Sequence, residues 1–157
     1  MLARTHLVFG VAAVSVASCF GVVPANPVTI IAALFGSLLP DVDHPKSSFG
    51  RKILPISWAI SRVFGHRGIT HSVFAVAALN YALIFKGGAL PPWCAAIMLG
   101  YLSHLISDWL TPMGIPFLWP YRKKFSSPLV VRTGGAGEIL LMMAVVIVIV
   151  AIFVLKK

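Results

Sequence analysis

Apolar residues occur in five long runs that short polar segments separate. The runs cover residues 7–23, 28–39, 72–85, 93–110 and 138–155. Continuous apolar segments of about this length predict membrane helices. The second run reaches only about two-thirds of the hydrocarbon thickness at 1.5 Å per residue. We therefore expect it to be a tilted helix or a half-depth hairpin.

A sixth segment, residues 53–64, has a different pattern. Apolar residues recur at helical spacing and basic residues surround them: Ile53, Ile56, Ile60 and Phe64, with Arg51, Lys52 and Arg62. An apolar face beside a basic face predicts an amphipathic helix that lies in the membrane interface. The sequence thus predicts an all-α integral membrane protein, with about five apolar helices and one interfacial helix, in a single domain over residues 1–157.

Composition supports a membrane protein. Of the 157 residues, 59% are hydrophobic and 11% are charged, and the charged share is about half that of soluble domains. Such a chain is too apolar for disorder and has more apolar surface than one small core can hide. The net charge of +9 indicates membrane orientation and anionic headgroups, and no nucleic-acid partner is expected. Cys19 and Cys94 lie in apolar runs and are expected to be packed thiols.

The positive residues predict the orientation. With the N-terminus in the cytoplasm, ten of the thirteen lysines and arginines fall on the cytoplasmic side: Arg4, five in 41–71 and four in 111–137. Lys156 and Lys157 do not fit this rule.

The N-terminus also allows a secretory signal, because Arg4 precedes an apolar run that ends in a lipoprotein-like box at Cys19. Cleavage there would remove His6.

All the acidic and histidine residues map to the same side of this topology. There are nine of them: His6, Asp41, Asp43, His44, His66, His71, His104, Asp108 and Glu138. Each lies at or near a helix end that faces the cytoplasm, and a half-depth second helix would leave this unchanged. The opposite face has no acid or histidine, so helix-end polarity alone does not account for the pattern.

The spacing of these residues suits a metal site. His104 and Asp108 are four residues apart on a helix, so their side chains share one face. Asp41 and Asp43 flank a single residue in a segment predicted to be extended, so both carboxylates point the same way. Imidazoles mixed with carboxylates favour zinc, with manganese or iron(II) as alternatives, and the count allows one or two ions.

Several of these residues also have a purely structural interpretation. Glu138 is an acid at a helix N-terminus, which the helix dipole favours. Asp41 and Asp43 could form the polar end of a helix, and His6 could be an interfacial histidine. The His104–Asp108 pair is the hardest to explain structurally, because ionisable residues within membrane helices are costly.

Five short motifs carry a family resemblance: Thr5-His6, Leu39-Pro-Asp-Val-Asp-His-Pro45, Gly65-His-Arg-Gly-Ile-Thr-His-Ser72, Gly100-Tyr-Leu-Ser-His-Leu-Ile-Ser-Asp108 and Thr111-Pro112. In order and spacing they resemble the YdjM-like family. The resemblance implies a LexA-regulated, metal-dependent hydrolase of the bacterial inner membrane. LexA regulation concerns the gene, and no contact between this protein and LexA is implied.

We therefore expect a metal-dependent hydrolase at the cytoplasmic interface, acting on a phosphoester of a lipid or lipid-linked substrate. Asp41, His71, His104 and Asp108 are the first candidate metal ligands, followed by Asp43, His6 and Glu138. His66 is the candidate proton donor to the leaving group. Arg67 and the cluster 122–124 are candidates to hold an anionic headgroup.

Two other classes remain open at this stage. A non-catalytic metal-binding protein, structural or sensing, would use the same ligands to tie helix ends together. An ion transporter fits less well, because transporters place their coupling residues near the midplane. The oligomeric state is left open.

Overall fold

The computed structural model describes residues 1–47, 50–64, 68–84, 90–121 and 123–155, with Phe64 by its backbone alone. Six α-helices lie in this part of the chain: α1 (Ala3–Cys19), α2 (Pro27–Gly36), α3 (Leu54–Phe64), α4 (Val73–Ile84), α5 (Pro92–Trp109) and α6 (Ala136–Leu155). Short 3-10 turns cover Pro40–Asp43, Gly50–Ile53 and Ile69–His71. Pairing of β type is confined, in these ranges, to an isolated bridge between Ile115 and Phe125. The predicted all-helical class is confirmed.

The helix boundaries differ most at the N-terminus. The apolar pattern predicts a helix from residue 7 to residue 23, whereas α1 begins at Ala3 and ends at Cys19. Its first turn includes Thr5 and His6, which are polar but fully buried against other segments. A pattern based on hydrophobicity starts the helix too late, because tertiary contacts rather than apolar side chains cover these residues.

Helix α6 is, within the described ranges, the one helix that has both the length and the apolar composition to cross a membrane. Helices α1 and α4 are apolar but shorter. The apolar stretch of α6 is only 6% buried within the molecule. Its side chains therefore face outward along nearly the whole helix, as expected for a segment that contacts lipid.

Helix α5 lies at the centre of the fold, where it packs against α1 and α2. Glycines permit the close contact with α2. A Cβ atom on Gly100 would lie 2.1 Å from the carbonyl oxygen of Ala33, and one on Gly36 would lie 2.2 Å from that of Ile97. No larger residue fits there without moving a helix. This contact brings the end of α2 onto the polar face of α5.

Helix α3 packs against the turns Pro40–Asp43 and Gly50–Ile53 and leaves much of its surface exposed. The apolar side chains of Ile56 and Trp58 are more than half exposed. The Arg62 guanidinium lies 4.4 Å from the centroid of the Trp58 ring, which is a cation–π contact. These features agree with the predicted amphipathic helix.

Candidate metal centre

Helix α5 supplies the centre of a buried polar cluster. His104 and Asp108, one turn apart, are 0% and 1% exposed. Nδ1 of His104 lies 2.7 Å from the carbonyl oxygen of Ser37, to which it donates a hydrogen bond. The donor must be Nδ1–H because a carbonyl only accepts. The neutral ring therefore carries its lone pair on Nε2, and this buried atom has no hydrogen-bond partner among the described residues.

His71 and Asp41 complete one side of the cluster. Oδ2 of Asp108 lies 3.5 Å from Nε2 of His71 and 3.7 Å from Nε2 of His104. Oδ1 of Asp41 lies 3.9 Å from the same His104 nitrogen. Four ligands at about 2.0–2.1 Å from a tetrahedral zinc ion would be about 3.3 Å apart. The observed spacings are slightly wider, so small side-chain movements would bring these donors to bonding distance.

His6 of α1 lies on the other side of His104. The two imidazoles stack with centroids 3.7 Å apart and planes inclined by 12°. Nε2 of His6 is 3.5 Å from Oδ1 of Asp108, and the amino group of Met1 is 2.6 Å from that oxygen. The two oxygens of Asp108 therefore face different histidines, His6 on one side and His71 with His104 on the other.

The tautomers of His6 and His71 follow from two neighbouring hydroxyl groups. Ser107 donates its hydroxyl hydrogen to the carbonyl of His104, so it accepts from Nδ1 of His6, 2.7 Å away. Thr70 donates its hydroxyl hydrogen to Asp43 and therefore accepts from Nδ1 of His71, 3.0 Å away. Both rings thus carry Nδ1–H. Like His104, they present Nε2 lone pairs to the cluster, which is the form that binds a metal ion.

Asp43 lies behind His71 rather than among the inward-facing donor atoms. Its Oδ2 is 3.6 Å from Nδ1 of His71 and accepts the Thr70 hydrogen bond. A carboxylate on the far side of an imidazole orients the ring and makes its free nitrogen more basic. Asp43 is therefore placed to orient His71, and the prediction that Asp43 itself binds metal stays a prediction.

Neighbouring charges also affect the pKa of His71, which lies outside the apolar helices. Burial lowers this pKa, but the nearby carboxylates of Asp108 and Asp43 raise it by more. The pKa of His71 is therefore above the usual value for histidine.

Two sets of donors could hold an ion within the described residues: His6, His104 and Asp108, and Asp41, His71 and His104. In each set the donor atoms lie within 4.8 Å of one another. Their convergence, and the lone pair on the buried Nε2 of His104, fit a divalent cation. Asp108 has one oxygen on each side, so the geometry is compatible with one ion or with two, whereas the single Nε2 lone pair of His104 would bind only one of them.

Glu138 belongs to neither set. Its Oε1 accepts hydrogen bonds from the Leu2 N–H and the Thr5 hydroxyl, and its Oε2 accepts one from the Gly134 N–H. These contacts link the start of α6 to the start of α1. The carboxylate thus has a structural role here, and the prediction that it binds metal stays a prediction.

The remaining predicted site residues lie away from this cluster or outside the described part of the chain. His66, Arg67 and Arg122 lie outside the described residues. Lys123 and Lys124 are exposed on the loop that follows α5. Sequence reasoning did not assign roles to Ser107, Thr70 or the Ser37 carbonyl, although Ser107 and Thr70 are the immediate neighbours of Asp108 and His71. That adjacency was the available signal.

The chain matches the family model described as YdjM inner membrane protein over residues 1–157. The chain belongs to the YdjM family. It is 40% identical to the inner membrane protein YdjM of Escherichia coli over 144 residues, which cover 86% of this chain and 74% of the relative. It is 33% identical to the uncharacterized protein YvsG of Bacillus subtilis over 141 residues, which cover 88% of this chain and 85% of the relative.

A more distant relative is the inner membrane protein YbcI of Escherichia coli, 34% identical over 111 residues, covering 65% of this chain and 60% of the relative. No solved structure matches the chain. The YdjM family assignment and the names of these relatives indicate an inner membrane protein. The resemblance found in the short motifs is thereby confirmed.

Proposed function

We propose that this YdjM-family protein is a metal-dependent hydrolase that acts on a phosphoester of a lipid or lipid-linked substrate. The observation that carries the proposal is the set of three buried histidines, His6, His71 and His104, whose Nε2 lone pairs converge on Asp108. Zinc is the expected ion because imidazole and carboxylate donors without thiolate suit it, with manganese or iron(II) as alternatives.

The proposal includes a multi-pass topology with a cytoplasmic N-terminus. The distribution of lysine and arginine supports this orientation, and the cluster then lies at the cytoplasmic interface, at the depth of lipid headgroups. A substrate with its phosphoester at that depth needs no extraction from the bilayer. This is why we favour a lipid over a soluble substrate.

Each group of residues has a defined task in this proposal. A bound divalent ion would polarise a phosphoryl oxygen and acidify a water molecule. The Nδ1 hydrogen bonds to Thr70 and Ser37 direct the Nε2 atoms of His71 and His104 into the cluster, where they would bind the ion. Asp41 is 18% exposed, so solvent and substrate would reach the cluster on its side. His66 is the proposed proton donor, and Arg67 and the cluster 122–124 the proposed headgroup contacts.

Elemental analysis of detergent-purified protein tests the metal site. We expect stoichiometric metal in the wild type and its loss in His104→Ala and Asp108→Ala. His44→Ala is the matched control, because this histidine follows Asp43 but belongs to neither donor set, and it should keep its metal. Absence of metal from wild-type protein purified without chelator would refute the proposal.

A turnover screen on the same samples tests hydrolysis. Phosphoester substrates with and without lipid chains should be cleaved by wild-type protein and by His44→Ala, and the rate should fall with metal content in the other variants.

A second candidate is a non-catalytic metal protein, and the near-complete burial of His6, His71, His104 and Asp108 favours it, because structural sites are closed. Bound metal without turnover on a broad lipid panel would select that candidate.

A further inference from the structure

An apolar cavity of about 410 Å³ lies on the face of α5 next to the metal-ligand face. Four α5 side chains form one wall: Leu102, Leu105, Ile106 and Trp109. The loop that follows α5 forms the opposite wall through the apolar side chains of Ile115, Phe117, Leu118 and Phe125. This volume falls within the range of small-molecule sites, about 300–1,000 Å³.

Backbone hydrogen bonds fix the loop wall in place. Ile115 and Phe125 exchange two N–H to carbonyl bonds, at 3.0 and 2.9 Å. The N–H of Val73, at the start of α4, donates to the carbonyl of Phe117 at 2.9 Å. Gly114 has φ of +58°, and a Cβ there would lie 2.4 Å from the Phe125 carbonyl oxygen. The cavity is thus bounded by a defined turn that is hydrogen-bonded to the start of α4.

The cavity and the ligand cluster share two turns of α5. Leu105 directly follows His104, and Trp109 directly follows Asp108, so each pair differs by 1.5 Å in height along the helix axis and by about 100° around it. The two sites therefore lie within roughly one helix diameter, about 10 Å. A phosphoester at the cluster could extend its hydrocarbon chain into the cavity.

The cavity has a buried floor and an open, partly charged rim. Leu105 and Ile115 are each 4% exposed, whereas Ile106 and Phe117 are about half exposed. The ammonium group of Lys123 lies 5.9 Å from the centroid of the Phe125 ring. An apolar cavity with a cation at its rim is complementary to an anionic amphiphile.

We propose that this cavity binds a hydrocarbon chain of an anionic membrane lipid and that Lys123 contacts the lipid headgroup. This inference rests on the proposed function, since it identifies the bound lipid as the substrate whose phosphoester reaches the His/Asp cluster. It commits to a lipid chain rather than to a second copy of the protein, because the cation at the rim matches an anionic headgroup.

Fluorescence quenching of Trp109 tests the site directly. Wild-type protein is placed in phosphatidylcholine nanodiscs that contain a minor fraction of chain-brominated phosphatidylglycerol or chain-brominated phosphatidylcholine. The Trp109→Phe variant, measured in parallel, identifies the part of the quenching that comes from Trp109. We expect half-maximal quenching of Trp109 at a mole fraction of brominated phosphatidylglycerol in the nanodisc that is several-fold lower than the mole fraction of brominated phosphatidylcholine needed for the same effect.

Two sets of variants make the test specific. Lys123→Gln should reduce the preference for phosphatidylglycerol about fivefold, as expected for one cation near an anionic headgroup, and Lys46→Gln should not. Leu102→Phe with Ile106→Phe should fill the cavity and abolish the preference, whereas Leu140→Phe, on the exposed side of α6, should leave it unchanged. Equal quenching by both lipids would indicate bulk bilayer contact, and absence of quenching would indicate a covering protein partner. Either result overturns the proposal.

The failure of this inference can be separated from the failure of the proposed function. All variants are also assayed for metal content and for hydrolysis of a chain-free phosphodiester. If the wild-type protein shows no preference between the two lipids but binds metal and hydrolyses the chain-free phosphodiester, the lipid site alone is refuted. Saturable lipid preference without hydrolysis of any substrate refutes the proposed function while leaving a lipid-binding cavity.

Discussion

The imidazole rings of His6 and His104 stack face to face, with centroids 3.7 Å apart, although they lie on different helices. Both rings are almost completely buried. Two protonated imidazoles this close would repel strongly where solvent is excluded. The stacking therefore suits neutral rings, and each neutral ring directs its Nε2 toward Asp108. This arrangement is compatible with a cation held between the rings and the carboxylate, as the proposed metal site requires.

The hydroxyl group of Ser107 orients His6, and its removal should weaken metal binding. We expect Ser107→Ala to reduce metal affinity about 10- to 100-fold, the usual effect of losing a hydrogen bond behind a ligating histidine. Ser103→Ala is the matched control, because Ser103 lies one turn earlier on α5 and donates to the Gly100 carbonyl. Titration with a competing chelator measures both affinities. Equal effects of the two substitutions would contradict an orienting role.

Thr70 connects Asp43 to His71 through one hydroxyl group. Thr70→Val keeps the shape but removes this link, so we expect a similar loss of metal affinity. Thr70→Ser keeps the hydroxyl and should retain an affinity within a fewfold of the wild type. Chelator competition on the two variants gives the comparison. If the serine variant lost as much affinity as the valine variant, the methyl group rather than the hydroxyl would matter.

Gly100 sets the distance between α5 and α2. A Cβ atom on this residue would lie 2.1 Å from the Ala33 carbonyl oxygen, so Gly100→Ala must separate the helices. We expect a loss of roughly 1–3 kcal/mol in stability, together with weaker metal binding as the Ser37 carbonyl moves away from His104. Gly137→Ala is the control, since its Cβ would meet only an ordinary contact at 3.6 Å. Thermal unfolding in detergent measures the difference.

Substitution of Glu138 distinguishes a structural role of this residue from a metal-binding role. Because its carboxylate accepts hydrogen bonds from Leu2, Thr5 and Gly134, we expect Glu138→Ala to cost about 1–3 kcal/mol, chiefly by leaving the buried Thr5 hydroxyl without its acceptor. The variant should nevertheless keep its metal. Elemental analysis and thermal unfolding of one sample check both points. Loss of metal from a variant that remains folded would restore Glu138 as a ligand.

Metal binding should weaken as the pH falls, because protons compete for the histidine lone pairs. The pKa of His71 is raised in the metal-free protein, so its protonated form contributes stability below the ordinary histidine pKa, and this contribution disappears as the pH rises through the raised value. Metal needs the neutral ring. As the pH is lowered, we therefore expect metal affinity to start decreasing while the pH is still above 6.5. The decrease should be about tenfold per pH unit for each competing proton.

The Asp43→Asn variant supplies the matching experiment. Removing this carboxylate should lower the pKa of His71, so the fall in metal affinity should begin at a lower pH than in the wild type. Chelator competition across a pH series gives the two profiles. Coincident profiles would mean that the titration of His71 does not control binding.

The sequence by itself determined the helical class, the approximate positions of the helices, with the first one displaced by four residues, and the candidate ligands on α5. Apolar runs and the i, i+4 spacing of His104 and Asp108 are local properties of the chain, and local rules describe them well. The family motifs indicated the YdjM assignment for the same reason, since they are short and contiguous.

Only the tertiary structure decided where the candidate side chains lie relative to one another. Asp43 and Asp41 are two residues apart, yet Asp43 lies behind His71 while Asp41 faces the donor atoms. Glu138 accepts hydrogen bonds at the start of α1, from the Leu2 N–H and the Thr5 hydroxyl. These outcomes depend on the rotation of each helix and on glycine contacts such as Gly100 with Ala33. Such contacts join residues far apart in the chain, and a one-dimensional pattern carries no information about them.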